Sequence, residues 1–237
     1  MVALPERPEA VLVDVGFTLV VYDPERMSDL LRPLGVYVRS ELIEATQASV
    51  RAELSQSSWA FGPVGEGRTK GEDFFHRVLT LAGAEADGID LGQASKHLWQ
   101  GHLDDNLWSQ VLPGAIEALS IMRSLGCRLA VISNAEGTID ALLTRIGVRD
   151  AFETVLDSTV VGFAKPDPRI FQLALDRLGV PKDKAIMVGD SVTADVQGAW
   201  GAGVAAALID PLDLHPTCAA PRFANLLSFA KALIPAK

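Results

Sequence analysis

Several residues able to do chemistry stand where apolar runs of this chain end. Asp14 follows Ala10-Val-Leu-Val13, Ser133-Asn134 follows Leu129-Ala-Val-Ile132, and Asp190 follows Ala185-Ile-Met-Val188-Gly189, with Asp195 close behind. Lys165 lies in Gly162-Phe-Ala-Lys-Pro-Asp-Pro168. A carboxylate can attack phosphorus and form an aspartyl-phosphate. Two carboxylates hold Mg2+ through oxygens, the ligands that cation demands. The metal in turn neutralises a carboxylate that must approach a phosphate dianion. A hydroxyl and the backbone N–H groups of a helix start cradle phosphate oxygens, and a lysine ammonium stabilises charge on a transferring group.

Such residues need elements that bring them to one place. The runs 10–13, 129–132, 154–156, 185–188 and 204–209 read as short buried strands. A helix pattern precedes each of the last four, over 115–125, 137–146, 168–178 and 192–202, and most end at a glycine. Buried strands alternating with helices predict an α/β fold with a doubly wound parallel sheet. The run before Asp14 is apolar on both faces, so it joins that sheet. The strand-end residues then converge on the carboxyl edge, where open α/β sheets bind ligands.

The stretch between the first two core strands differs. Leu30, Leu31, Leu34, Val38, Leu42 and Ile43 keep a helical spacing interrupted by Pro33, and Phe74, Phe75, Val78 and Leu79 make a second apolar face. The sequence therefore predicts an all-helical insert over 20–108 within a core of 1–19 and 109–237. Phe61 to Gly71 holds four glycines and a proline and reads as a loop. Trp59, Phe61, Trp99 and Trp108 read as interior of the insert. Arg68 and Lys70 are candidates for reaching an anionic substrate.

The chain has 237 residues, 49% hydrophobic and 22% charged, which suits a globular protein. Its net charge of −9 argues against nucleic-acid or anionic-membrane partners. It does not argue against a small anionic substrate, because a bound cation inverts the local field. Cys127 and Cys218 form no CxxC pair and read as reduced thiols, so a cytoplasmic location is expected. No signal peptide is evident, and the late apolar run 204–209 is too short to span a bilayer. The expected state is a monomer or a homodimer. The four histidines are scattered without ligand spacing, and no nucleophile elbow, Walker loop or dinucleotide fingerprint occurs.

Taken together, Asp14-Val-Gly-Phe-Thr18-Leu, Val131-Ile-Ser133-Asn134, Lys165-Pro166-Asp167 and Gly189-Asp190-Ser-Val-Thr-Ala-Asp195 resemble the motifs of the haloacid dehalogenase (HAD) superfamily, in order and each after a predicted strand. The resemblance covers essentially the whole chain, and the insert resembles that family's helical cap on a Rossmannoid core. It implies a Mg2+-dependent hydrolase of a small phosphorylated metabolite. Asp14 would be nucleophile and metal ligand, and Gly16 would lend its carbonyl to the metal. Thr18 would shape the first loop and join Ser133, Asn134 and Lys165 around the phosphoryl group, with Lys165 also catalytic. Asp190 would bind the metal, and Asp195 would bind it or orient its waters.

Two positions depart from the family pattern. Family phosphatases carry an aspartate where Gly16 stands, which protonates the leaving oxygen and then activates water. Losing a general acid/base costs roughly 10²–10⁴-fold in rate, so slow turnover is implied. Phe17 stands where glycine is common. An alternative is a catalytically weakened protein that keeps the phosphate and metal site. Another is a C–P hydrolase resembling phosphonoacetaldehyde hydrolase, with Lys70, rather than Lys96, as its Schiff-base lysine. Metal-free dehalogenase-like members lack the pair of aspartates that Asp190 and Asp195 supply, which sets this chain apart from them.

Overall fold

A computed structural model of the chain describes residues 5, 7–56, 68–86 and 89–235. Trp59, Phe61 and the glycine-rich stretch as far as Gly67 lie outside the described residues. The chain separates into two compact units, one of residues 1–21 and 111–237 and one of Tyr22–Gln110.

The first unit is built on six strands, β1 (Ala10–Val13), β2 (Arg128–Ser133), β3 (Thr154–Asp157), β4 (Ala185–Gly189), β5 (Ala205–Ile209) and β6 (Arg222–Phe223). Their order is β6-β5-β4-β1-β2-β3, and every neighbouring pair is parallel. All four residues of β1 are buried because strands flank it on both sides, with Val13 opposite Val131 in β2 and Val188 in β4. From β1 the chain winds outward through β2 to β3, then crosses to β4 on the other side of β1. The winding therefore reverses between β1 and β4, the place where a doubly wound sheet opens a crevice at its carboxyl edge. Asp14 and Asp190 are the residues that follow those two strands.

The helices of this unit are α5 (Ala115–Ser124), α6 (Ile139–Arg145), α7 (Ser158–Val161), α8 (Pro168–Leu178), α9 (Gly198–Gly201) and α10 (Leu226–Ala232). Helix α8 starts where the sequence demands it: Pro168 occupies the first turn, and the Asp167 side chain caps the Arg169 N–H at 2.9 Å. Its apolar stripe of Ile170, Phe171, Ala174, Leu175 and Leu178 covers Leu12, Ala130, Ile132, Met187 and Leu208, alternate residues on one sheet face. Burial of side chains this large stabilises by about 1.5–3 kcal/mol each. The short strand β6 was not predicted, since two residues show no periodicity.

The second unit contains helices α1 (Pro24–Leu31), α2 (Ser40–Gln56), α3 (Lys70–Leu81) and α4 (Leu91–Asp104). Pro33 ends α1 as its position suggests, with a 3₁₀ turn over Arg32–Leu34 in place of further helix. Tyr22 packs edge-on against Phe74 and Trp108, ring centroids 5.6 and 5.7 Å away. Trp99 stacks on His102. The helices are supplemented by two-residue strands, Val36–Tyr37 and Glu85–Ala86, paired antiparallel. Such strands are too short to mark the sequence with an alternation. Among the described residues, no helix is long and apolar enough to cross a membrane.

The predicted helix over 192–202 is divided. Val192–Gln197 forms a π-helical turn, in which the Ser191 carbonyl accepts from Asp195 N–H and Val196 N–H at 3.0 and 3.2 Å, and α9 follows. At the junction, Gly198 lies against the Lys165-Pro166 segment. A Cβ on it would fall 2.9 Å from the Pro166 Cα and 3.0 Å from the Phe171 ring. Gly198→Val should therefore cost about 2–3 kcal/mol through overpacking. Gly198→Ala should cost less, because alanine regains up to about 1 kcal/mol of helix propensity. Urea midpoints measure both, and an unchanged midpoint for the valine variant would contradict this contact.

Candidate active site

The site begins with how β1 ends. Asp14 N–H donates to the Val188 carbonyl at 3.0 Å, which extends the β1–β4 pairing by one residue. A tight turn follows, with Leu19 N–H and Val20 N–H bonding the Val15 carbonyl and Phe17 N–H bonding Val20. Phe17 adopts φ +50°, in the left-handed region, with its side chain buried. That backbone conformation accounts for glycine being common there, and a phenylalanine holds it at a cost of about 1–2 kcal/mol. Gly16, half-buried, is not among the positive-φ glycines, so its φ does not call for glycine.

Lys165 reaches Asp14 from the connection between α7 and α8. Its Nζ donates to Asp14 Oδ1 at 2.5 Å and lies 2.7 Å from Asp195 Oδ1, and all three residues are buried. The approach to Asp195 is close but poorly aligned, so Oδ1 keeps no aligned hydrogen bond and the contact is an ion pair. Asp195 Oδ2 accepts the Ser191 N–H at 2.9 Å. The π turn is what folds this carboxylate back over the end of β4. Gly189 is needed for the same reason, because a Cβ there would run into the Asp195 side chain. Asp190 completes the group: Asp14, Asp190 and Asp195 each offer a carboxylate oxygen, all within 4.8 Å of one another.

These charges shape each other. Burial pushes the Asp14 carboxyl up, Lys165 pulls it down and Asp195 pushes it up again, leaving it at about 6 rather than 3.8. Burial by itself would lower the Lys165 pKa, but Asp14 and Asp195 outweigh it and hold the ammonium above its ordinary value. Lys165 is therefore a permanent cation and Asp14 an unusually weak acid.

The other expected residues fall into three groups. Ser133 ends β2, buried and in register with Asp157, and Thr18 Oγ1 is buried without a hydrogen-bond partner. Asn134 does not offer its side chain freely: Nδ2 donates to the Lys165 carbonyl at 2.9 Å, and Oδ1 accepts the Lys165 N–H at 2.8 Å. Arg68 and Lys70 belong to the second unit. Arg68 pairs with Asp73 at 2.6 Å, and Lys70 is the first residue of α3, whose start is closed by a Thr69–Glu72 capping box.

Asp157 was missed from the sequence. It ends β3, and its Oδ2 accepts Gly137 N–H at 2.9 Å and Ile139 N–H at 3.4 Å, while Oδ1 accepts Thr159 N–H at 3.0 Å. Burial raises its pKa in spite of these bonds. The signal was present, since Thr154-Val-Leu-Asp157-Ser158 repeats the apolar-run-then-acid pattern of Asp14 and Asp190.

The chain is similar to known proteins in sequence and in fold. A model of the haloacid dehalogenase-like hydrolase family matches residues 25–203. The mouse haloacid dehalogenase-like hydrolase domain-containing protein 3 is 40% identical over 168 residues, 70% of this chain and 66% of that protein, so the match spans just under two thirds of the relative's length. The phosphoglycolate phosphatase of Rhodospirillum rubrum is 31% identical over 203 residues, 83% of this chain and 77% of that one. The crystal structure of a HAD phosphatase from Thermococcus onnurineus superposes with a TM-score of 0.58 at 25% identity, covering 95% of this chain and 97% of that one.

The buried ion pair gives the site a stability signature. Lys165→Met leaves Asp14 and Asp195 without their cation, and breaking such a pair costs about 3–5 kcal/mol at neutral pH. The loss should shrink toward about pH 5, where Asp14 takes up a proton in both proteins and less negative charge remains to be neutralised. Denaturant unfolding at the two pH values checks this, and a pH-independent loss would count against it.

Proposed function

The chain belongs to the haloacid dehalogenase-like hydrolase family, and from that premise we propose that it is a Mg2+-dependent phosphohydrolase of small phosphorylated metabolites, working through an aspartyl-phosphate on Asp14. The observation that carries the reading is the acidic group at the switch point of the sheet, where carboxylate oxygens of Asp14, Asp190 and Asp195 lie within 4.8 Å of one another and the buried Asp14 and Asp195 share the Lys165 ammonium. The donor set fits the metal: it is all oxygen, it is concentrated in charge, and Asp195 Oδ1 is buried without an aligned hydrogen bond. Asp14, Asp190 and Asp195 would hold Mg2+, with the Gly16 carbonyl as a further oxygen. When bound, the cation would offset the negative charge that accumulates as a phosphate dianion meets Asp14.

The protein's own groups account for the remaining steps. Lys165 occupies Asp14 Oδ1, which leaves Oδ2 as the attacking atom. Oδ2 bonds to phosphorus as the bond to the leaving oxygen breaks, and Lys165 balances charge on the transferring group. Ser133 and the unpartnered Thr18 hydroxyl would hold phosphoryl oxygens. Water then attacks phosphorus, the acyl–oxygen link to phosphorus breaks, and phosphate leaves. Gly16 supplies no acid for the first leaving group and no base for the water, so solvent must protonate the leaving oxygen and take up the proton of the attacking water, and turnover is slow. That same feature favours a second reading, a phosphate- and metal-binding protein with little turnover.

One assay separates the two readings. With Mg2+ and a panel of phosphate monoesters that includes phosphoglycolate, the parent should turn over slowly and Asp14→Asn not at all. Gly16→Asp requires no positive φ and should gain about 10²–10⁴-fold. A parent without turnover beside an active Gly16→Asp would establish the second reading. Phosphate release surviving in Asp14→Asn would remove the mechanism.

Metal binding should also follow the state of Asp14. Its folded-state pKa of about 6 exceeds the usual 3.8, so the metal-free folded chain holds an extra proton between those values. The associated stability is fully present below about pH 3.8 and is lost as pH rises through about 6. Ligation requires the ionised form, so Mg2+ should raise the Tm clearly at about pH 7.5 and little at about pH 5. The effect should vanish in Asp195→Asn. Equal shifts at both pH values would argue against Asp14 as a ligand.

A further inference from the structure

The Asn134 amide closes a two-bond ring on the backbone of Lys165, bonding both its carbonyl and its N–H. Lys165 stands between α7 and α8, outside any strand or helix, so no ladder fixes its main chain. The segment that carries Asn134 is itself fastened to the end of β3. Ala135 N–H donates to Ser158 Oγ at 3.0 Å, and the Ser158 and Thr159 hydroxyls donate to the Ala135 carbonyl at 3.2 and 2.6 Å. Asp157 holds Gly137 and Ile139 a little further along. A continuous hydrogen-bonded path thus runs from the sheet edge through Asn134 to the backbone of the lysine whose ammonium lies between Asp14 and Asp195.

We infer that Asn134 is a positioning residue: it sets the backbone of Lys165 so that the ammonium bridges Asp14 and Asp195, and its side chain is not a phosphate ligand. A group that must satisfy two carboxylates at 2.5 and 2.7 Å tolerates little displacement. A misplacement of about 1 Å at a reacting centre costs as much as 10²-fold in rate. The catalytic consequence rests on the phosphohydrolase reading, whereas the positioning itself does not.

Two measurements on the full chain test it. The first is urea unfolding of the parent, Asn134→Ala, Lys165→Met and the double variant. Asn134→Ala should lower the midpoint more in the parent than in the Lys165→Met background, where no ammonium remains to be misplaced. An equal loss in both backgrounds would show that Asn134 braces the backbone alone, and would overturn the inference. Should alanine fail to fold, Asn134→Ser, which can make one of the two bonds, supplies the same comparison.

The second is turnover of p-nitrophenyl phosphate with Mg2+. Asn134→Ala should lower kcat by roughly 10- to 100-fold and change KM, and the Ki for inorganic phosphate, by less than about threefold. A rise in KM and Ki with kcat preserved would mark the amide as a phosphate contact and overturn the inference. If the parent turns over nothing, the proposed function fails while the unfolding comparison still decides the role of Asn134.

Discussion

The Lys165 ammonium, shared between Asp14 and Asp195 with all three residues buried, is the interaction around which this site is arranged. Two carboxylates at that depth would repel each other and shed their charge by taking up protons. The lysine prevents this only in part, as Asp14 still sits at about 6. An Asp14 held so close to neutralisation responds readily to further positive charge nearby. The local geometry is what keeps the two carboxylates together against their repulsion.

That geometry is a property of the sheet. Reversal of the winding between β1 and β4 puts the residues after Val13 and Gly189 side by side, and the Asp14 N–H bond to Val188 ties one strand end to the other. Asp195 is delivered by the π turn, one residue wider than an α turn, which carries its carboxylate back to Ser191 N–H. Two glycines permit close approach. Gly189 leaves room for Asp195, and Gly198 lets the following helix press on Pro166, beside Lys165. Each device is local, yet each serves to place a charge.

Much of this was legible in the sequence, for physical reasons that differ by element. Strand β1 and helix α8 lie where they were expected, because four buried residues in a row and an unbroken apolar stripe behind an Asp-Pro start leave few alternatives. Asp14 and Asp190 could be placed at the carboxyl edge because each directly follows such a strand. The bonds of Asn134 to Lys165 were not legible. They join residues 31 apart, and nothing in the identity of an asparagine says whether its amide will meet an anion or a backbone. The π turn was hidden for a similar reason, since Val192 to Ala202 has an ordinary helical composition and only the bonding to Ser191 reveals the wider turn.

Gly16 and Phe17 show how a local rule can be broken without disturbing the rest. Phe17 accepts a left-handed backbone that glycine would adopt freely, while Gly16 is not at positive φ. The glycine therefore stands beside the position where the backbone favours one. On φ alone, glycine would be favoured at position 17 rather than at position 16. What distinguishes position 16 is that it brings no side chain to the turn that follows Asp14. Phe17 is buried within that turn, and Asp190, Asp195 and Lys165 come from other strand ends and connections. The Lys165 contacts to Asp14 and Asp195 are thus made without any side chain at position 16.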